Sequence, residues 1–140
     1  MNSFFFTSAS GWIAVILVGV EVALPYLLRR SWLSVWLGIA QSFVSPYLRR
    51  MWAHYWLGYL VATLSFAHAW VPMQARHMRR ANMLGLWLAT GALLLLLLQV
   101  LSGWALRDSA LRERREIRGW HYRGMIGVLL LIAGHIWLNG

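Results

Sequence analysis

Residues 118–138 read RGWHYRGMIGVLLLIAGHIWL and residues 51–71 read MWAHYWLGYLVATLSFAHAWV. Each segment is apolar over about the length that crosses a bilayer as a helix. Each carries two histidines 14 residues apart, His121 and His135 in one, His54 and His68 in the other. Fourteen residues are close to four α-helical turns, so both members of a pair point to nearly the same side, ~21 Å apart along the axis. With one crossing between them, the two helices run parallel. His54 then shares a depth with His121, and His68 shares another with His135.

The composition agrees with a chain that lives in lipid. Hydrophobic residues make up 60% and charged residues 12% of the 140, and the mean hydropathy is +0.57. A soluble domain of this size needs a more polar surface than that. The 13 basic residues are all arginine, giving a net charge of +9. They cluster where apolar runs end, which fits topology signals and anionic-lipid contacts and argues against nucleic acid. The absence of cysteine excludes disulfides, iron–sulfur clusters and thiolate ligation of a metal.

The expected fold is all-α: an integral membrane four-helix bundle with an additional interfacial amphipathic helix, forming a single membrane domain over 1–140. The spanning helices are placed at about 11–28, 51–71, 82–106 and 119–138. The first is read as a retained membrane helix, because it lacks a basic n-region and a small-x-small cleavage site. Between Arg29-Arg30 and Arg49-Arg50, residues 31–48 alternate a polar stripe (Ser31, Ser34, Gly38, Gln41, Ser42, Ser45) with an apolar one (Trp32, Trp36, Ile39, Phe43, Tyr47). That pattern suits a helix lying in the interface. A five-crossing arrangement, with 31–48 spanning, leaves the histidine pairing unchanged. Nine arginines flank the first and third loops and three the second, which puts the first and third loops in the cytoplasm and both termini outside.

The paired histidines decide the chemistry. A single histidine in a membrane helix often serves as an interhelical hydrogen bonder. Four of them forming two depth-matched pairs fit ligand pairs better. Members of one helix are too far apart to share an ion, and each level has only two nitrogens, too few for a zinc site built from protein alone. A bis-histidine haem needs only two axial ligands. The expected cofactors are therefore two haem b groups, one between His54 and His121 and one between His68 and His135. Gly58 and Gly124, one turn beyond His54 and His121, either clear room for a flat macrocycle or serve close helix packing, and the two uses are compatible. Arg50 and Arg118, one turn before the same histidines, either meet cytoplasmic-side propionates or act as positive-inside flanks. Arg76 and Asn139 are weaker candidates near the outer pair, and His77 in the charged loop lies outside the set. Glu21 is a candidate proton handler or an interhelical hydrogen bonder. Gln99 and Ser102 are read as interhelical hydrogen bonders.

Arg118-Gly-Trp-His121-Tyr-Arg-Gly124 with His135, and His54 with His68, resemble the transmembrane di-haem cytochrome b superfamily. This includes the four-helix core of quinol-oxidising cytochrome b and the b-type subunits of membrane dehydrogenases. Gln99-Val-Leu-Ser102-Gly103-Trp-Ala-Leu106 is similar to a Gln-x-x-Thr-Gly-x-x-Leu turn of that family. The likeness covers helices 2 to 4, about two-thirds of the chain. A second membrane half and a Pro-Glu-Trp-Tyr-like quinol motif have no counterpart here.

The resemblance implies an electron-transfer subunit of a membrane oxidoreductase complex in a bacterial or archaeal cytoplasmic membrane. Its expected partners are quinone or quinol, other subunits of the complex and the lipid bilayer. No flavin or nicotinamide fingerprint occurs, so a self-sufficient enzyme is not expected. The alternative is a haem-free structural or anchoring subunit, in which the histidines are polar glue.

Overall fold

The computed structural model describes residues 3–27, 46–74, 82–107 and 112–139, with side-chain surroundings for 8–27, 51–70, 82–107 and 112–139. All four segments are helical: α1 Ser3–Leu27, α2 Pro46–Gln74, α3 Met83–Ala105 and α4 Arg114–Asn139. The expected interfacial helix at 31–48 lies outside the described residues, except that Pro46 to Leu48 belong to α2.

Helix ends follow local chemistry. Proline opens α2 at its first position, where the missing N–H costs nothing. Asn82 caps α3: its side-chain oxygen accepts from the backbone N–H groups of Leu84 at 2.9 Å and Gly85 at 3.4 Å. Three helices are longer than the apolar runs that announce them. α1 begins at Ser3, well before Gly11. α4 begins at Arg114, taking in part of the charged linker, since arginine and glutamate are good helix formers. α2 continues two residues past Pro72.

Three helices contain stretches long and apolar enough to cross a membrane: Ser8–Leu27, Met83–Ala105 and Arg114–Asn139. The chain is thus a multi-pass membrane protein by length and composition. α2, at 29 residues, falls outside that set, its apolar stretch being interrupted by His54, Thr63, Ser65 and His68. Large apolar side chains mostly face outward, among them Trp12, Ile16, Trp56, Leu98, Leu130 and Trp137, the last 88% exposed. Such a surface requires lipid or partner helices against it.

Packing organises the helices as two antiparallel hairpins. α1 lies against α2, α3 lies still more closely against α4, and α2 meets α3 between them. Glycines allow the α3–α4 approach: Cβ atoms at Gly91, Gly127 and Gly134 would meet Leu131, Leu95 and Leu88 at 3.4, 3.0 and 2.8 Å. At the far end Asn139 accepts from the Asn82 backbone N–H at 2.7 Å, tying the end of α4 to the start of α3. Arg107, just past the end of α3, lies over Tyr55 near the start of α2, so α2 and α3 are antiparallel as well and α2 and α4 point the same way.

The bundle centre is a small apolar layer. Val18, Val61 and Leu96 form its buried core, with Leu17, Val22, Leu57, Ala62 and Ile132 packed around them. Val61 is fully buried and Val128 is 4% exposed. Each lies seven residues from both histidines of its helix, about two turns, so each valine falls on the histidine face midway between them. An apolar layer therefore separates the two histidine levels.

Candidate functional site

At the level nearer the arginine-rich loops, the structure brings His54 of α2 and His121 of α4 together. Their ring centroids are 6.3 Å apart and the planes cross at 77°. α2 and α4 pack far less closely than the two helices of either hairpin, and a cavity of about 400 Å³ opens between the helices here. Such a volume lies within the ~300–1,000 Å³ usual for cofactor pockets. Its walls include Glu21, His54, Tyr55, Gln99, His121 and Arg118. Arg107 closes the same end by placing its guanidinium 5.4 Å from the Tyr55 ring centre.

The partners of each ring are set by the neighbouring helix of its own hairpin. Ser102 Oγ lies 2.8 Å from His121 Nδ1 and donates its only proton to the Gln99 carbonyl at 3.0 Å. Its oxygen must therefore accept from His121, which fixes the proton on Nδ1 and leaves Nε2 with a bare lone pair. His135 Nδ1 lies 2.9 Å from the Gly85 carbonyl. A carbonyl can only accept, so the same tautomer results. His68 Nδ1 lies 3.2 Å from Ser10 Oγ, and the His68 ring sits over Gly11, where a Cβ would meet it at 2.9 Å. His54 Nδ1 faces the Glu21 carboxylate at 3.9 Å and has no hydrogen-bond partner although buried.

All four histidines thus turn Nδ1 toward an oxygen on the adjacent helix. This is the arrangement metal-ligating histidines adopt, because an outer partner on one nitrogen orients the other toward the ion. His54 and His121 also have the right span. Two nitrogen–metal bonds of about 2.0 Å, plus about 1.1 Å from nitrogen to ring centre on each side, separate two imidazole centroids by about 6.2 Å across one ion. Among the described residues no group of three or more His, Cys, Asp or Glu is placed to hold a metal by itself. The donor set suits an ion that brings its own equatorial ligands.

The remaining expected site residues fall as follows. Arg118 lines the cavity with an exposed side chain. Arg50 lies in α2, but its side chain is outside the described set, as are Arg76 and His77. Gly58 faces Glu21, whose Oε1 would be 2.7 Å from a Cβ there, and Gly124 faces the Gln99 side chain. Both glycines make room for a polar side chain from the partner helix of their hairpin. Gly103 similarly lies beside His121, 3.6 Å from a Cβ to Cε1. His68 and His135 are placed against α1 and α3 respectively. Ser10, Gly11 and the Gly85 carbonyl were not foreseen as histidine partners. Ser102 was read as an interhelical hydrogen bonder, and its partner proves to be His121. Serine one helix away from a histidine is a usable signal only once the interhelical register is known.

No protein-family model, no curated protein and no solved structure matches this chain.

Proposed function

We propose that the chain is a di-haem b-type cytochrome subunit that carries electrons across a membrane between a quinone pool and a partner redox subunit. The observation that carries this reading is the common orientation of the four histidines, Nδ1 toward an oxygen of the neighbouring helix, together with the 6.3 Å approach of the His54 and His121 rings. His54 and His121 would hold one haem b, and His68 with His135 the other. Each haem would supply reversible one-electron chemistry, and two histidines holding it would leave no position open for a further ligand, which favours electron transfer over oxygen binding.

The protein's own contribution is orientation, burial and charge. Ser102 and the Gly85 carbonyl hold their imidazoles in the ligating tautomer. The Val61–Val128 layer keeps water from the space between the levels. Arg118, and Arg50 at the start of α2, are suited by charge to cytoplasmic-side propionates.

In this reading all four helices cross the bilayer, residues 31–48 lie in the interface, and both chain termini face outside a bacterial or archaeal cytoplasmic membrane. Quinone reaches the protein through lipid, and other subunits of a redox complex complete the electron path. The resemblance of the segment around His121 to transmembrane cytochrome b points the same way.

Membranes containing the full chain test this directly. Dithionite-reduced minus air-oxidised spectra are expected to show a b-type α band absent from host membranes, and quinol is expected to reduce it. A purified chain with no haem absorbance would overturn the proposal and favour a structural subunit.

A further inference from the structure

We propose that Glu21 sets the potential at the inner histidine level by accepting a hydrogen bond from Nδ1 of His54, making that level the more reducing of the two. This inference rests on the di-haem reading above and deepens it.

The four outer partners are not equivalent. His121 has a hydroxyl, His135 a backbone carbonyl and His68 a hydroxyl, all neutral groups. His54 alone faces a carboxylate. Glu21 is the sole acidic residue of the apolar segment Ser8–Leu27, where a carboxyl group is expensive and needs a partner. His54 Nδ1 is buried and makes no hydrogen bond, and its 3.9 Å separation from the Glu21 carboxylate is a side-chain adjustment of about 1 Å from a hydrogen bond of ordinary length.

The backbone opposite is shaped for this contact. Gly58 lies one turn beyond His54, and a Cβ there would stand 2.7 Å from Glu21 Oε1. The equivalent place on the other hairpin, Gly124, receives the neutral amide of Gln99. The asymmetry between the two ligands of one level is therefore built by two residues, a carboxylate and the glycine that admits it.

The sign follows from electrostatics. A carboxylate accepting from Nδ1–H raises the basicity of Nε2, which stabilises the ferric state of the ligated iron over the ferrous state and lowers its potential. Electron transfer between the levels oxidises one inner ferrous iron and reduces one outer ferric iron. Its equilibrium then favours the outer side.

The test is an optical redox titration of the purified haem-loaded full chain. The component missing from His121→Ala is assigned to the inner level. In wild type this component is expected to have the lower midpoint. Glu21→Gln is expected to shift its ferric-to-ferrous equilibrium at least tenfold toward ferrous, a rise of about 59 mV for one electron, while moving the outer component less than threefold. Gly58→Ala, which keeps the carboxylate but pushes it away, is expected to shift the inner component in the same direction. An unchanged inner midpoint in both variants, or equal shifts of both components, would overturn the inference while leaving the haem reading intact. Loss of the inner haem from both variants would also overturn it, because Glu21 would then retain the group and not tune it. A wild-type chain with no haem spectrum would overturn the reading beneath it.

Discussion

Replacing Ser102 with alanine isolates what an outer partner contributes to the inner level. The hydroxyl accepts from His121 Nδ1 at 2.8 Å while donating to the Gln99 carbonyl at 3.0 Å. In Ser102→Ala the part-buried Nδ1–H loses its acceptor, at a cost of about 1–3 kcal/mol. The imidazole is also released to the other tautomer, which cannot ligate through Nε2. At 1.4 kcal/mol per decade this corresponds to roughly 5- to 150-fold weaker haem binding, bracketing the 10- to 100-fold typical of lost outer partners. The clean assay is haem titration of haem-free protein in a His135→Ala background, where only the inner level remains. Ser102→Thr keeps the hydroxyl and is expected to bind within about threefold of the parent. Ser102→Ala binding as tightly as the parent, or threonine as weak as alanine, would refute the assigned role of this hydrogen bond.

Two other perturbations test separate parts of the structure. A Cβ at Gly11 would meet the His68 ring at 2.9 Å, whereas one at Gly19 on the same helix would meet nothing within 4 Å. Gly11→Ala is therefore expected to lose the outer haem signal selectively, and Gly19→Ala to keep both and gain about 0.5–1 kcal/mol of helix stability, read from haem spectra and thermal unfolding in detergent. Because the chain has no cysteine, single introduced cysteines report topology without background. In intact cells Arg112→Cys is expected to be protected from a membrane-impermeant thiol reagent and Asn82→Cys to be labelled, and the reverse pattern would invert the proposed orientation.

Much of the helical order was legible because apolar runs of bilayer length announce themselves, and histidine spacing needs only the helical repeat. The meeting of His54 with His121 followed from counting crossings. Helix limits were less legible. Hydropathy reports where a helix enters lipid, not where it starts, so Arg114 to Arg118, four of them charged, looked like linker although their types favour helix. Outer partners were the least legible. Gly85 acts through its backbone carbonyl, which has no side-chain signature, and Ser10 and Glu21 meet His68 and His54 only because of how α1 is registered against α2. The same limit applied to Gly58 and Gly124. Small residues at those positions meant room for something, and interhelical register decided that Glu21 and Gln99 face them.

The most direct test of histidines paired across α2 and α4 is haem stoichiometry in double variants, measured as pyridine haemochrome per chain. Wild type is predicted to hold about two haems, bis-histidine iron needing one ligand from each helix. His54→Ala with His121→Ala empties one level and is predicted to leave about one haem, and His54→Ala with His68→Ala breaks both levels and is predicted to leave none. Retention of one haem when both α2 histidines are gone would contradict the pairing, as would a wild-type chain that carries no haem.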